Sequence, residues 1–439
     1  MAMARVQARS PETVRRTPEK TRALPRRLTH FAGRPTAARY DAFVRWICLL
    51  LAASTGWGAA DLSPQQWRDD IAYLARELPA RHKNLFFHLS KADFDREVSQ
   101  LSEAAATASD IEIRAGLTRL VASVGDLHTG IQAFKPWHFG LGFFEFPDGI
   151  YCTAARPEVG EAMAARVISV QGVPVEQVME RLRQFVPHEN KMNVLALTPR
   201  LLGLPAALEA AGVPIENSAA DFEMQRGGRT FVLHVTVPGR YQEIRAPLDG
   251  AFATPLYESN RVSRYWFRYL EATRTLYVQY NVCAEDPAKP FRQFSTEVAG
   301  AIAERHPARI VVDLRHNGGG DSRVVGPLVA LLKSQRRVRV FAIIGRGTFS
   351  SGFMAARDLK HEAHATLVGE PTGQKPNSYG DLRTFELPNS KLVVSYSTKH
   401  FQLADHGDPP WYEPDRNIVM TAADFQAGRD PLMEWIERQ

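Results

Sequence analysis

Three consecutive glycines, Gly318 to Gly320, come shortly after an apolar run that ends at Asp313. A strand that leads into such a loop presents bare backbone N–H groups at its carboxyl end, because glycine has no side chain to cover them. Ser350 follows a second apolar run, Val338 to Ile344, and presents a hydroxyl at the next strand end. The combination predicts a nucleophile beside an oxyanion hole, as acyl transfer requires.

The last third of the chain alternates strand-like and helix-like patterns. Strands are predicted at 275–280, 309–314, 338–344, 365–368 and 391–397, and helices at 290–305, 321–333 and 350–360. Strands that alternate with helices indicate an α/β core. We therefore expect an α/β domain over residues 246–439.

Residues 61–135 show helical signals instead. Ser63 and Gln66 form a capping box with Pro64 at the first helical position, and apolar residues then recur at helical spacing. Further helices are predicted from Ser90 and from Asp110, the second of which ends near Gly125. This segment is predicted to be a small helical domain.

Residues 136–245 read as short strands and turns. Phe222 to Met224, Gly227-Gly228 and Phe231 to Val235 predict a hairpin with alternating faces. The segment resembles a PDZ-like module, a type of domain that binds chain termini by adding a strand to a sheet edge. Residues 187–214 would be an insertion in it, and a plain β-rich packing domain is the alternative.

The net charge of +6 belongs to the first residues of the chain. Residues 1–45 hold ten arginines and one lysine against three acidic residues, so the remainder carries about −2. A basic tail of this kind does not indicate a nucleic-acid-binding face, and we expect no nucleic-acid partner.

Residues 1–60 read as this basic tail followed by a signal-peptide-like segment. The apolar run Trp46 to Ala53 is too short to span a bilayer, and Gly58-Ala59-Ala60 fits a cleavage site. We therefore expect a periplasmic or secreted protein without a stable membrane span. The alternative is a buried apolar segment after the tail.

Cysteine and histidine usage points to no cofactor. Cys152 and Cys283 would remain in the mature chain, and the sequence leaves open whether they pair. No cluster of cysteine and histidine has the spacing of a zinc site, so we expect neither a metal nor an organic cofactor.

Three ordered motifs resemble one family. Asp-Leu-Arg-x-Asn-Gly-Gly-Gly at Asp313 to Gly320, the Thr-x-Ser turn at Thr348 to Ser350, and Val368 to Gly373 are similar to the C-terminal processing (tail-specific) serine proteases. The tricorn core protease and the interphotoreceptor retinoid-binding protein are relatives of that family. The resemblance implies a crotonase-like ββα spiral for the α/β core and Ser350 as the nucleophile, with an N-cap serine as the plainer interpretation.

The resemblance leaves two residues open as the general base. His128, in Gly125-Asp126-Leu127-His128-Thr129, matches a motif of the tricorn-like members, and imidazole titrates near neutral pH. A structural histidine held by Asp126 or Thr129 is the alternative. Lys375 has the spacing of the catalytic lysine of tail-specific proteases, and a lysine base would need a lowered pKa. An exposed loop lysine is the alternative.

The remaining site residues follow from the same comparison and from local chemistry. Asp408 stands where tricorn-like relatives have an acid, and could orient the base or belong to a rigid proline turn. Gly318 and Gly319 are the predicted oxyanion donors, together with the N–H of Ser351, which is also the rival nucleophile.

These observations predict a serine peptidase that hydrolyses peptide bonds through an acyl-enzyme. Its substrate would be a polypeptide, which the resemblance implies is recognised through its C-terminus, and its oligomeric state stays open. The first alternative is a non-catalytic peptide- or ligand-binding protein on the same fold. The second is a crotonase-like enzyme that acts on a thioester, although no adenine-nucleotide site is marked in the sequence.

Overall fold

Helices open the described part of the chain, as their capping signals predict. The computed structural model describes residues 62–238 and 254–439. The predicted tail and signal-like segment (1–60) therefore lie outside the described residues, as do residues 239–253. The first helices are α1 (Pro64–Arg81), α2 (Lys91–Ala104) and α3 (Asp110–Ala122).

Side chains at the helix starts explain where these helices begin. The Ser63 side chain accepts from the N–H of Gln66, and the Gln66 side chain accepts in return from the N–H of Ser63. Ser90 caps α2 by accepting from the N–H of Asp93. Such caps satisfy N–H groups that have no partner within the helix. The apolar stripe of α1 is buried as predicted, at Trp67, Ile71, Leu74 and Leu78.

A hairpin from late in the chain completes this helical layer. Strand β1 (Gly130–Ile131) pairs with β14 (Val393–Gln402), and β14 pairs with β13 (Asn377–Glu386). Apolar side chains of the hairpin share one buried cluster with the helices, among them Phe385, Leu387 and Val394. The sequence predicted only part of β14 and none of β13. Strand formation here depends on packing against the helices more than on the intrinsic propensity of the strand residues.

The middle of the chain is rich in strands. Its sheet has the order β2-β3-β4-β6-β7, with the short β5 beside β4. The elements are β2 (Leu141–Phe146), β3 (Gly149–Ala155), β4 (Arg166–Val170), β5 (Val173–Pro174), α4 (Val175–Arg183), α5 (Lys191–Leu201), α6 (Pro205–Ala210), β6 (Ala219–Arg226) and β7 (Arg229–Thr236). Helices α5 and α6 fall in the predicted insertion.

The last part contains a six-stranded sheet of order β15-β12-β11-β10-β9-β8, parallel except for β8. Its elements are β8 (Tyr265–Leu270), β9 (Thr275–Tyr280), α7 (Phe291–Arg305), β10 (Arg309–Asp313), α8 (Gly326–Lys333), β11 (Arg339–Ile344), α9 (Ser351–Glu362), β12 (Thr366–Gly369), β15 (Arg416–Asn417), α10 (Ala422–Gln426) and α11 (Pro431–Glu437).

Burial on both faces of the sheet explains the apolar runs read from the sequence. All five residues of β10 are buried, and Ile310, Val311 and Val312 have no exposed surface. The mixed α/β class is therefore confirmed, and the crotonase-like spiral stays a prediction. The predicted start of α8 at Asp321 is wrong, since the helix begins at Gly326. Pro327 has no N–H to donate and therefore fits in the first turn of a helix, where an N–H would have no partner within the helix.

Within residues 62–238 and 254–439, no helix is both long enough and apolar enough to span a membrane.

Candidate active site

The structure brings Ser350 and His128 together from positions 222 residues apart in the chain. The Nε2 atom of His128 lies 3.2 Å from the Oγ atom of Ser350. His128 comes from the loop after α3, and Ser350 from the turn between β11 and α9. A base within hydrogen-bond reach of a hydroxyl is the geometry that activates a serine.

The turn that carries Ser350 is sharp and strained. Ser350 has φ 53° and ψ −125°, values that a residue with a side chain rarely adopts. A strand that turns abruptly into a helix in this way presents its serine hydroxyl outward, as in a nucleophile elbow. The next residue but one is Gly352, where a Cβ atom would lie 2.3 Å from the carbonyl oxygen of Asn317.

Two backbone N–H groups beside Ser350 are available to an oxyanion. The N–H of Gly319 donates to Asn317 Oδ1 at 2.9 Å, and that of Ser350 donates to the side-chain oxygen of Gln374. In the described part of the chain, the N–H groups of Gly318 and Ser351 donate no hydrogen bond. Among the predicted donors, this arrangement favours Gly318 and Ser351 over Gly319.

Ser351 has its hydroxyl occupied. Its Oγ atom donates to the carbonyl oxygen of Gly320 at 2.7 Å, and the side chain is buried. The bond fixes the glycine loop against the start of α9. Ser350 is therefore the serine whose hydroxyl faces a base.

His128 is buried and held by its own loop. Its backbone N–H donates to Asp126 Oδ1 at 2.9 Å, and its ring lies against Phe349, with 4.6 Å between the ring centroids. Burial lowers the pKa of His128, while the Asp126 charge and a hydrogen bond to the backbone of Tyr379 act in the opposite direction. The net lowering keeps the imidazole neutral, and so able to accept a proton, at neutral pH.

Asp126 is the anionic centre of this network. Its Oδ2 atom accepts from Thr129 Oγ1 at 2.5 Å and Ser397 Oγ at 2.6 Å, and it lies 3.0 Å from His82 Nε2. Burial raises the pKa of Asp126, but the hydrogen bond from His82, the His128 charge and the two hydroxyls outweigh it and lower the pKa overall. Asp126 Oδ1 lies 3.9 Å from His128 Nδ1, where its negative charge favours a protonated imidazole.

Glu189 is a second carboxyl at the same place, and no motif in the sequence marks it. Its two side-chain oxygens accept from the N–H groups of Leu127 and Lys375, at 3.2 and 3.4 Å. Burial, and then the Asp126 charge, raise the pKa of Glu189 to about 8. Asn190 and Asn193 form a capping box that does mark a helix start here, but nothing local shows that Glu189 reaches His128.

Lys375 and Asp408 lie together at a more exposed point. The Lys375 ammonium donates to Asp408 Oδ2 at 2.8 Å, and the Asp408 side chain is 61% exposed. The structure thus pairs these two predicted residues with each other, whereas the Ser350 hydroxyl contacts His128.

The same cluster contains residue types that can bind a metal ion. One potential ligand atom each from Asp126, His128 and Glu189 lies within 4.8 Å of the others. Both Asp126 oxygens already accept hydrogen bonds, and His128 Nε2 faces Ser350. The contacts describe an acid–base network rather than a set of open ligands.

The two cysteines in the described part of the chain are free. Cys152 and Cys283 are both buried, and burial raises the pKa of each thiol to about 12. They belong to different buried clusters, which resolves the pairing that the sequence left open.

Comparison with known proteins supports the fold. No protein-family model matches the chain, and no curated protein matches it significantly. Mature CPAF complexed with lactacystin superposes with a TM-score of 0.61 at 14% identity, over 85% of this chain and 98% of that chain. A serine-to-alanine mutant of CPAF gives a TM-score of 0.63 at 13% identity, over 85% and 97%.

The photosystem II D1 C-terminal processing protease also matches, at 12% identity over 83% of this chain and 98% of that chain. Its TM-score is 0.42. The likeness to CPAF establishes the fold class, a mixed α/β protein. The chain shares its fold with CPAF, and its resemblance to the tail-specific proteases is thereby confirmed at the level of the fold.

Proposed function

We propose that this protein is a serine peptidase that hydrolyses peptide bonds through an acyl-enzyme. The observation that carries the proposal is the 3.2 Å contact between His128 Nε2 and Ser350 Oγ, made at a strained strand-to-helix turn. The motifs around both residues and the fold shared with CPAF support it.

The geometry supports a definite sequence of proton transfers. Neutral His128 accepts the proton of Ser350 as the Oγ atom attacks the peptide carbonyl carbon. The oxyanion that forms receives hydrogen bonds from the N–H groups of Gly318 and Ser351. His128 then gives the proton to the leaving amine, and water releases the acyl group by the reverse steps.

His128 is favoured over Lys375 as the base. Its ring is buried, faces the nucleophile and has a lowered pKa. The Lys375 ammonium instead donates to Asp408 Oδ2, whereas the hydroxyl of Ser350 faces His128. Asp126 is favoured over Asp408 as the acid, because Asp126 lies beside the imidazole.

The substrate class is proposed from the same evidence. A peptide carbonyl is the electrophile that this site would attack, so the partner is a polypeptide. A PDZ-like module over residues 136–245 would bind it by its C-terminus, next to a crotonase-like core. The signal-like segment between Arg45 and Ala60 supports a periplasmic or secreted location. No cofactor takes part in the proposed reaction.

A fluorophosphonate serine-hydrolase probe tests the proposal on the purified full chain. Labelling should be lost in Ser350→Ala, strongly reduced in His128→Ala, and kept in Lys375→Ala. Ser351→Ala is the matched control for the neighbouring hydroxyl and should still be labelled. A folded wild-type chain that is never labelled would contradict the proposal and favour the binding protein.

A further inference from the structure

We propose that Glu189 is a positioning residue for the catalytic pair, supplied by the segment that leads into α5. The inference rests on the proposed peptidase function, because it concerns the same two catalytic residues. It adds a residue that the family motifs in this sequence do not mark, and it connects the β-rich region to the reacting groups.

The carboxyl of Glu189 joins two loops that carry the catalytic machinery. One oxygen accepts from the N–H of Leu127, the residue before His128. The other accepts from the N–H of Lys375, the residue after Gln374. The Gln374 side chain in turn accepts from the N–H of Ser350. Glu189 therefore lies between the loop of the base and the loop that holds the backbone of the nucleophile.

Glu189 is itself held in place from the side of α5. The Asn190 side chain donates to the carbonyl oxygen of Pro410 at 2.8 Å, and that of Asn193 donates to the carbonyl oxygen of Pro187 at 2.6 Å. Asn190 and Asn193 also cap α5 reciprocally. The chain around Glu189 is thus tied both to its own helix and to the loop that contains Asp408.

Three titratable groups on two loops face this carboxyl. They are Asp126 and His128 on the loop after α3, and Lys375 on the loop before β13. Behind them, His82 contacts Asp126, and Asp408 contacts Lys375. Two carboxyls close together cannot both ionise easily, so Asp126 holds the negative charge and Glu189 stays protonated at neutral pH.

This assignment predicts how the site responds when Glu189 ionises. Two buried negative charges would repel each other and pull apart the loops that Glu189 joins. Activity should therefore decline as the pH rises through about 8, the pKa of this group. A glutamine at this position has a similar shape and stays neutral at every pH, so it should remove the decline, although its one oxygen can accept from only one of the two N–H groups.

The test compares Glu189→Gln, Glu189→Ala and the exposed control Glu180→Gln, whose side chain is 74% exposed on α4. At pH 7, Glu189→Gln should label within about 3-fold of wild type, whereas Glu189→Ala should label about 100-fold more slowly, as small misplacements of reacting groups do. With a peptide substrate, the loss should fall on kcat and not on KM. Glu180→Gln should behave as wild type throughout.

Two results would overturn the inference. The first is wild-type labelling by a folded Glu189→Ala variant. The second concerns the pH dependence of activity: Glu189→Gln keeps the wild-type decline near pH 8, or the wild type shows no such decline. This pH comparison does not need the alanine variant, so it remains decisive even if that variant does not fold. Absence of labelling in wild type, or labelling that survives Ser350→Ala, would instead refute the peptidase proposal itself.

Discussion

A Cβ atom at Gly319 would lie 2.6 Å from the Cβ atom of Ser350. The loop of three glycines and the serine turn are thus in backbone contact, and Gly319 also has φ +109°, which a side chain disfavours. The absence of a side chain at Gly319 is what allows the glycine loop, with the proposed oxyanion donor Gly318, to approach Ser350.

Gly319→Ala should therefore impair catalysis more than folding. The added methyl group must displace the turn that carries Ser350. A displacement of about 1 Å at a reacting group should lower the rate of fluorophosphonate labelling about 100-fold. Gly300→Ala is the matched control, because Gly300 lies in α7 with open space around its Cβ position. That control should keep full labelling and raise stability by about 0.5–1 kcal/mol. Equal labelling of the two variants would contradict the contact.

Asp126→Asn should change both the rate and its pH dependence. The Asp126 charge raises the pKa of His128, so its removal should move the acid limb of the labelling profile to lower pH. The maximal rate should fall as well, because the imidazolium loses its neighbouring charge. Asp408→Asn is the control, and should leave the limb where it is in wild type. A larger shift in Asp408→Asn than in Asp126→Asn would return Asp408 to the role of orienting acid.

Local signals in the sequence account for much of the fold. The helix starts at Ser63 and Ser90 were predicted because a capping side chain acts on N–H groups within three residues of it. The strand at β10 was predicted because a strand covered on both faces must be apolar throughout. Strand β13 was missed, since its exposed and buried residues do not alternate regularly and its stability comes from distant helices.

The candidate site divides in the same way. Ser350 and His128 were predicted from motifs, and the structure places them in contact. Glu189 was not predicted, because only the folded chain brings it to Leu127 and Lys375. Lys375 and Asp408 had the right spacing along the sequence, but spacing does not determine which side chains share a buried environment.

The exposed pair of Lys375 and Asp408 should contribute little. Their contact of 2.8 Å is accessible to solvent, so screening should limit its contribution to about 1 kcal/mol or less. We expect Lys375→Ala and Asp408→Ala to unfold within about 1 kcal/mol of wild type in urea. The change in the free energy of unfolding of the double variant should equal the sum of the two single changes to within about 0.5 kcal/mol. Loss of labelling in Lys375→Ala at unchanged stability would instead identify a lysine base.

Glu189 should also leave a signature in the stability of the protein. Because its pKa is raised from 4.5 to about 8 in the folded chain, the folded state binds a proton between these pH values that the unfolded state has lost. Its favourable contribution is therefore complete below about pH 4.5 and is lost as the pH rises towards 8. Glu189→Gln cannot titrate, so its stability relative to wild type should increase steadily across this window and level off above it. Urea unfolding of both proteins at pH 5, 7 and 9 measures the difference, and a constant difference would show that the pKa of Glu189 is not raised.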